Sequence, residues 1–259
     1  MPFAVAGQGP PVLFLHGWGL TPHTYRPAVE RLADNGVQVF APVLPGFGGT
    51  TELPPAQRNL PGYARWVEQF LDAAGIDEPV TIVGHSFGGG IAIQSAHDLP
   101  RRVARLVLVN SVGGGAWAPR GQLTRSIRER PLRDWAASGV LEALSAHAPL
   151  PVMASMTTAA VANLLRNPRA LWRSAQLARF ADLRRELDEL ANRNLPVALI
   201  WGHNDKVIPP TSFQSMTRTL RHALIFTVAG THGWLISDPD TFGDVTKHVF
   251  AAWSAQDAA

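Results

Sequence analysis

The sequence of 259 residues has no cysteine. Disulfides, thiolate metal sites and a cysteine nucleophile are therefore excluded. Lysine is scarce as well: only Lys206 and Lys247 occur, and all other basic side chains are arginine. The formal net charge is +3. With no lysine-rich tail and no basic run interleaved with aromatics, nucleic-acid binding is not expected. No segment approaches the roughly 18 uninterrupted apolar residues of a membrane span. The first ten residues lack the basic-then-apolar pattern of a signal peptide, so a soluble cytoplasmic protein is the expectation. What is present is apolar material, 46% of the chain, enough for a large core. The length suits one domain, or one domain with a sizeable insertion.

Short apolar runs occur at residues 12–15, 37–42, 80–83, 103–109, 197–201 and 224–228. Each ends in turn chemistry, and each is mainly β-branched or aliphatic rather than strictly alternating. Such runs suit strands buried on both faces of a parallel sheet. Helix-like stretches lie between them, at 63–74, 87–99 and 210–220. The alternation predicts an α/β architecture with a doubly wound, mostly parallel sheet. After Gly113-Gly114-Gly115 the rhythm stops until about residue 190, with helix-like stretches near 123–130, 132–146, 157–165 and 168–190. Residues 113–190 therefore read as a helical cap inserted into a core made of 1–112 and 191–259. The insertion carries eleven Arg against seven acidic residues.

Gly84-His85-Ser86-Phe87-Gly88 follows a strand candidate and opens a helix candidate. This is the context of a nucleophile elbow, in which a serine on a tight, strained turn exposes its hydroxyl. Glycine is wanted two residues either side, where a bulky side chain would collide. A serine hydroxyl needs a base, and the base needs an orienting carboxylate. For this elbow the chain order is Ser, then acid, then His. His232, directly after the 224–228 run in Gly230-Thr231-His232-Gly233, is placed to reach the carboxyl edge of the sheet. His222 and His248 fit a strand start and a surface helix. Asp205 follows the 197–201 run in Gly202-His203-Asn204-Asp205. Asp182 and Asp188 fit a solvated helix face, Asp238 and Asp240 look like helix caps, and the position after 103–109 is Asn110, not an acid. Ser86, His232 and Asp205 are the candidate catalytic residues. Backbone N–H groups of Trp18, in His16-Gly17-Trp18-Gly19, and of Phe87 are the candidate oxyanion donors. His16 reads as a hydrogen-bonded structural residue, and His85 should point away from Ser86.

These segments, with Leu44-Pro45-Gly46-Phe47-Gly48 and Pro209, resemble the α/β-hydrolase family over residues 3–112 and 191–252. Within it, the short start and His16-Gly17-Trp18-Gly19-Leu20 are similar to the carboxylesterases that demethylate pimeloyl-acyl-carrier methyl ester. Two departures are visible. Val43 stands where many members have Asp. Only about ten residues precede Val12, so the sheet is expected to lack a strand at that edge. Ser86 argues against the carboxylate-nucleophile branches, the epoxide hydrolases and haloalkane dehalogenases.

The resemblance and the residues together predict a serine hydrolase of small-molecule carboxylic esters, working through an acyl-enzyme and needing no metal or organic cofactor. Two alternatives stay open. One is a carbon–carbon bond hydrolase acting on dienoic ring-fission products with the same triad; the other is a ligand receptor that retains the triad. Trp117, Trp135, Met153, Met156 and Trp172 are the pocket candidates, since Met and aromatics suit adaptable apolar sites, though packing within the insertion explains them equally. Arg120, Arg125, Arg128, Arg130 and Arg133 could face an acidic acyl-carrier protein, although a solvated helix face accounts for them more simply.

Overall fold

The computed structural model describes residues 1–115, 157, 158, 161, 163 and 165–258. The apolar runs form strands β2 (Pro11–Leu15), β3 (Gln38–Pro42), β4 (Val80–His85), β5 (Val103–Val109), β6 (Val197–Gly202) and β7 (Leu224–Val228). A further strand, β1 (Phe3–Ala6), precedes them. The spatial order is β1-β3-β2-β4-β5-β6-β7. All neighbours run parallel except β1, which pairs antiparallel with β3. The edge where the sequence leaves little room thus holds a strand of its own. Its pattern escapes notice because Phe3 and Val5 are each 48% exposed, so no buried face marks it, and it is very short.

Side chains alternate across the sheet, and the apolar ones enter a core on either face. Leu13, Leu15, Ile82, Leu106, Leu108, Leu199 and Trp201 enter one core, with Tyr63, Phe70, Ile91 and Leu187. Val12, Phe14, Val83, Val107, Ala198 and Ile200 enter the other, with Leu32, Phe242 and Trp253. The first core is closed by helices α2 (Leu60–Ala73), α3 (Phe87–Asp98) and α5 (Arg184–Asn192). The second is closed by α1 (Arg26–Ala33) and α8 (Pro239–Asp257). Each fully buried large apolar side chain contributes roughly 1.5–3 kcal/mol, which is why both faces of the strands must be apolar. Helix starts follow the local sequence. Asn59 accepts the Gly62 N–H at 2.8 Å to cap α2, and Asp238 accepts that of Thr241 at 3.1 Å to cap α8. Such caps stabilise a helix by about 1 kcal/mol.

The helix-like stretch at 168–190 divides into α4 (Pro168–Arg179) and α5. Between them Asp182 bridges to Gly113 and Gly114, and the Leu183 N–H donates to the Gly113 carbonyl at 2.9 Å. The segment that precedes α5 is thus tied to the segment that follows β5. Helix α5 lies against α3, with Leu187 and Leu190 fully buried. Two further helices, α6 (Pro210–Thr219) and α7 (Trp234–Ser237), complete the core elements. No helix among the described residues is long and apolar enough to cross a membrane.

The order of strands fixes where a site can form. From β2 the chain moves outward to β3, then returns to place β4 on the opposite side of β2. Beyond the carboxyl ends of β2 and β4 the connections diverge and leave a crevice, the usual ligand site of an open parallel sheet.

Candidate active site

Ser86 lies at that crevice, between β4 and α3, with backbone angles φ 54° and ψ −116°. A non-glycine residue held there stores strain of order 1–3 kcal/mol. The flanking glycines explain how the turn closes. A Cβ on Gly84 would lie 2.6 Å from both the Gly88 carbonyl oxygen and the Gly89 Cα. A Cβ on Gly88 would strike the Leu15 carbonyl and come within 2.7 Å of the His16 oxygen. The first turn of α3 is therefore pressed against the end of β2. The start of the His16-Gly17-Trp18 loop therefore meets the start of α3, and the Phe87 N–H, in the first helical turn, has no intrahelical acceptor.

Asp205 and His232 come from loops after β6 and β7. Parallel pairing of Gly202 with Val228 aligns the two strand ends, and the Asn204 N–H donates to the Gly230 carbonyl at 2.9 Å. Gly202 permits the contact, because a Cβ there would lie 2.7 Å from that same carbonyl oxygen. His232 Nε2 then stands 2.9 Å from Ser86 Oγ, and His232 Nδ1 stands 2.9 Å from Asp205 Oδ2. A carboxylate only accepts, so Nδ1 carries the proton and Nε2 is left to accept from the serine hydroxyl. The His232 side chain is 13% exposed and that of Asp205 is 0% exposed. The imidazole is open to the crevice while the carboxylate is sealed behind it.

Asp205 is saturated with donors. Oδ1 accepts the Val207 and Ile208 N–H groups at 2.7 and 2.9 Å. Oδ2 accepts the Asn110 side-chain amide at 2.6 Å, besides His232. Burial by itself would raise this carboxyl. The charge that His232 carries when protonated, its hydrogen bond, the Ile208 N–H and the Asn110 amide outweigh burial and hold it below the usual carboxylate range. The Asn110 amide cannot turn over. Its oxygen accepts from Trp234 Nε1 at 2.9 Å and from the Gly202 N–H at 3.2 Å.

Asn110 is a supporting residue that the sequence does not mark, because at that position it reads only as a residue that is not an acid. Its φ of 42° is the signal available in the structure. Asn163 is likewise unmarked. Its side chain accepts the Gly48 N–H at 2.7 Å and donates to the Gly19 carbonyl at 2.9 Å. Helix α4 holds the same loop a second time, since Trp18 Nε1 donates to the Leu171 carbonyl at 2.9 Å and to Ser174 Oγ at 3.1 Å. Glu52 completes the attachment by pairing with Arg173 and, at 3.1 Å, with Arg58. His16 is fully buried. It donates from Nδ1 to the Gly17 carbonyl at 2.9 Å and accepts the Leu44 N–H at Nε2 at 3.0 Å, so both nitrogens hold loops in place. Trp172 projects from α4 and is 55% exposed. Trp117, Trp135, Met153 and Met156, and Arg120, Arg125, Arg128, Arg130 and Arg133, lie outside the described residues.

A strained serine at a switch-point crevice, with an imidazole and a buried carboxylate in line behind it, is a constellation suited to nucleophilic displacement at a carbonyl. The chain belongs to the alpha/beta hydrolase fold family, whose model matches residues 10–239. Among its relatives, a pimeloyl-[acyl-carrier protein] methyl ester esterase of Xanthomonas oryzae is 30% identical over 239 residues, covering 87% of this chain and 88% of that protein. An uncharacterized protein of Mycobacterium tuberculosis is 32% identical over 231 residues, 80% of this chain; the chain spans only 65% of that relative's length. Among solved structures, a bromoperoxidase from Bacillus anthracis superposes with a TM-score of 0.79 at 18% identity, covering 96% of this chain and 94% of that one. That last likeness concerns the fold alone.

Proposed function

We propose that the protein hydrolyses carboxylic esters through an acyl-enzyme on Ser86, with His232 as base and acid and Asp205 as the group that orients it. The observation that carries this reading is the unbroken chain Ser86 Oγ–His232 Nε2 at 2.9 Å and His232 Nδ1–Asp205 Oδ2 at 2.9 Å. Ser86 Oγ attacks the ester carbonyl carbon as its proton passes to His232 Nε2. Asp205 stabilises the resulting imidazolium without itself taking the proton. The oxyanion is received by the Trp18 and Phe87 N–H groups, donors that are preorganised where negative charge develops. Collapse of the tetrahedral intermediate breaks the bond to the alkoxy oxygen. That oxygen takes the proton from Nε2, and the alcohol leaves. A water molecule then gives its proton to Nε2 and attacks the acyl carbon. The carboxylic acid departs and Ser86 recovers its proton.

The segment 113–190 is assigned the role of a cap over this crevice, a reading supported by the grip of α4 and Asn163 on the Trp18 and Gly48 loops. The printed name of the Xanthomonas oryzae relative supports an ester bond as the target and makes methyl esters the first leaving group to try. The test is a series of p-nitrophenyl and methyl esters of rising acyl length, run with wild type and Ser86→Ala. Wild type is expected to turn over part of the series, and Ser86→Ala to lose nearly all of it. Activity near wild type in Ser86→Ala would overturn the assignment.

A further inference from the structure

His85 stands beside the nucleophile, yet both its ring nitrogens are engaged elsewhere. Nε2 lies 2.9 Å from the carbonyl oxygen of His232, and Nδ1 lies 2.8 Å from Tyr25 Oη. A carbonyl only accepts, so Nε2 carries the proton and Nδ1 must receive one. Tyr25 Oη therefore donates to Nδ1, and its lone pair accepts the Gly17 N–H at 3.0 Å. The result is a chain with one direction: Gly17 N–H to Tyr25, Tyr25 to His85, His85 to the His232 carbonyl. Each donor meets one acceptor. Its two ends are the loop that presents the Trp18 N–H and the loop that carries His232. Those loops follow β2 and β7, strands separated by β4, β5 and β6.

We infer that Tyr25 and His85 form a positioning relay that fixes the oxyanion loop and the His232 loop relative to each other. The inference rests on the ester-hydrolase reading above for its catalytic consequence. Three features support it. Tyr25 is 0% exposed and His85 is 2% exposed, so water does not substitute for either partner. Gly17 is shaped to the relay, because a Cβ there would sit 2.8 Å from Tyr25 Oη and 2.9 Å from His85 Nδ1. His85 is held neutral, first by burial and next by repulsion from His232 when that ring is protonated, with its pKa pushed down to about 3. A neutral ring is what the chain requires. It also avoids a second positive charge when the His232 ring, whose centroid is 4.9 Å away, becomes an imidazolium.

The test is a kinetic and spectroscopic series on the full chain. Tyr25→Phe and His85→Leu should each lower kcat roughly 10- to 100-fold, the loss typical of misplaced reacting groups, with KM changed less than about threefold. The double variant should be no slower than the worse single, since one relay is broken once. His85→Gln should recover most of the rate, because its amide oxygen accepts from Tyr25 while its NH2 donates to the His232 carbonyl. Independent multiplying losses, or His85→Gln no better than His85→Leu, would mean that the two side chains only fill space, and would overturn the relay. Imidazole nitrogen NMR gives a readout that does not depend on ester turnover. His85 should appear as the Nε2–H tautomer with Nδ1 hydrogen-bonded, and Tyr25→Phe should move the resonances of both His85 and His232. His232 signals that ignore Tyr25→Phe overturn the relay even in a protein that hydrolyses no ester tried. Wild-type-like rates in both relay variants, beside an inactive Ser86→Ala, overturn the relay and leave the ester-hydrolase reading standing.

Discussion

Replacing Asp205 by asparagine preserves shape and volume but removes one acceptor from a site that has four donors. In the wild-type chain Oδ1 meets the Val207 and Ile208 N–H groups, and Oδ2 meets Asn110 Nδ2 and His232 Nδ1. The new amide has two ways to sit. With its oxygen toward His232, its NH2 faces two backbone N–H groups and leaves them without an acceptor, at roughly 1–3 kcal/mol each. With its oxygen toward that backbone, its NH2 faces Asn110 and His232. Asn110 cannot give way, because Trp234 Nε1 and the Gly202 N–H hold its oxygen. His232 can, by moving its proton from Nδ1 to Nε2. That relief is the less costly one, and it destroys the base, since Nε2 then offers a proton to Ser86 instead of a lone pair. The wrong tautomer and the unsupported imidazolium together predict a fall in kcat of about 10⁴-fold, or ~5.4 kcal/mol in the barrier. The assay is saturating ester hydrolysis by Asp205→Asn, with circular dichroism to show that the fold is kept. A folded variant within tenfold of wild type would refute the assigned role of Asp205 and the tautomer argument with it.

Two other outcomes follow from the geometry. Gly88→Ala should lose both stability and covalent labelling of Ser86 by a fluorophosphonate, because its Cβ meets the Leu15 and His16 backbone, which has no rotamer to move. Gly19→Ala is the contrast: its φ of 76° is strained but nothing lies within 4 Å, so thermal melts should show a loss of only about 1–2 kcal/mol. Stability should also fall as acid is added from about pH 6.5, through two buried histidines. Burial pushes His16 down to about 4 and His85 down to about 3, while the unfolded chain protonates both near 6.5. The unfolded state thus binds more protons from pH 6.5 down to about 4 for His16 and about 3 for His85. Each group should cost roughly 1.4 kcal/mol per pH unit within its window. Asp205, also held low, adds its loss only below the ordinary carboxylate range. Urea midpoints that stay flat from pH 6.5 to 5 would contradict the neutral, buried state of these histidines.

The local sequence was enough for the six parallel strands and for the elbow. Runs such as 106–109 and 197–201 are buried on both faces, so composition alone marks them. Gly84 and Gly88 flank Ser86 because the turn is steric, and steric rules act over a few residues. Asp205 and His232 could be chosen because each follows a strand whose carboxyl end must open on the same rim. Tertiary structure decided what depends on partners far along the chain. Strand β1 has no burial pattern of its own and exists through its pairing with β3. The break between α4 and α5 is set by Asp182 meeting Gly113 and Gly114, a contact invisible to helical periodicity. Asn110, Asn163 and the Tyr25–His85 pair owe their roles to hydrogen bonds whose direction depends on which donors surround them in space. A residue's type limits what it can exchange. Only the packed fold determines with whom, because a buried polar group has no water to fall back on and must find its partner in the protein.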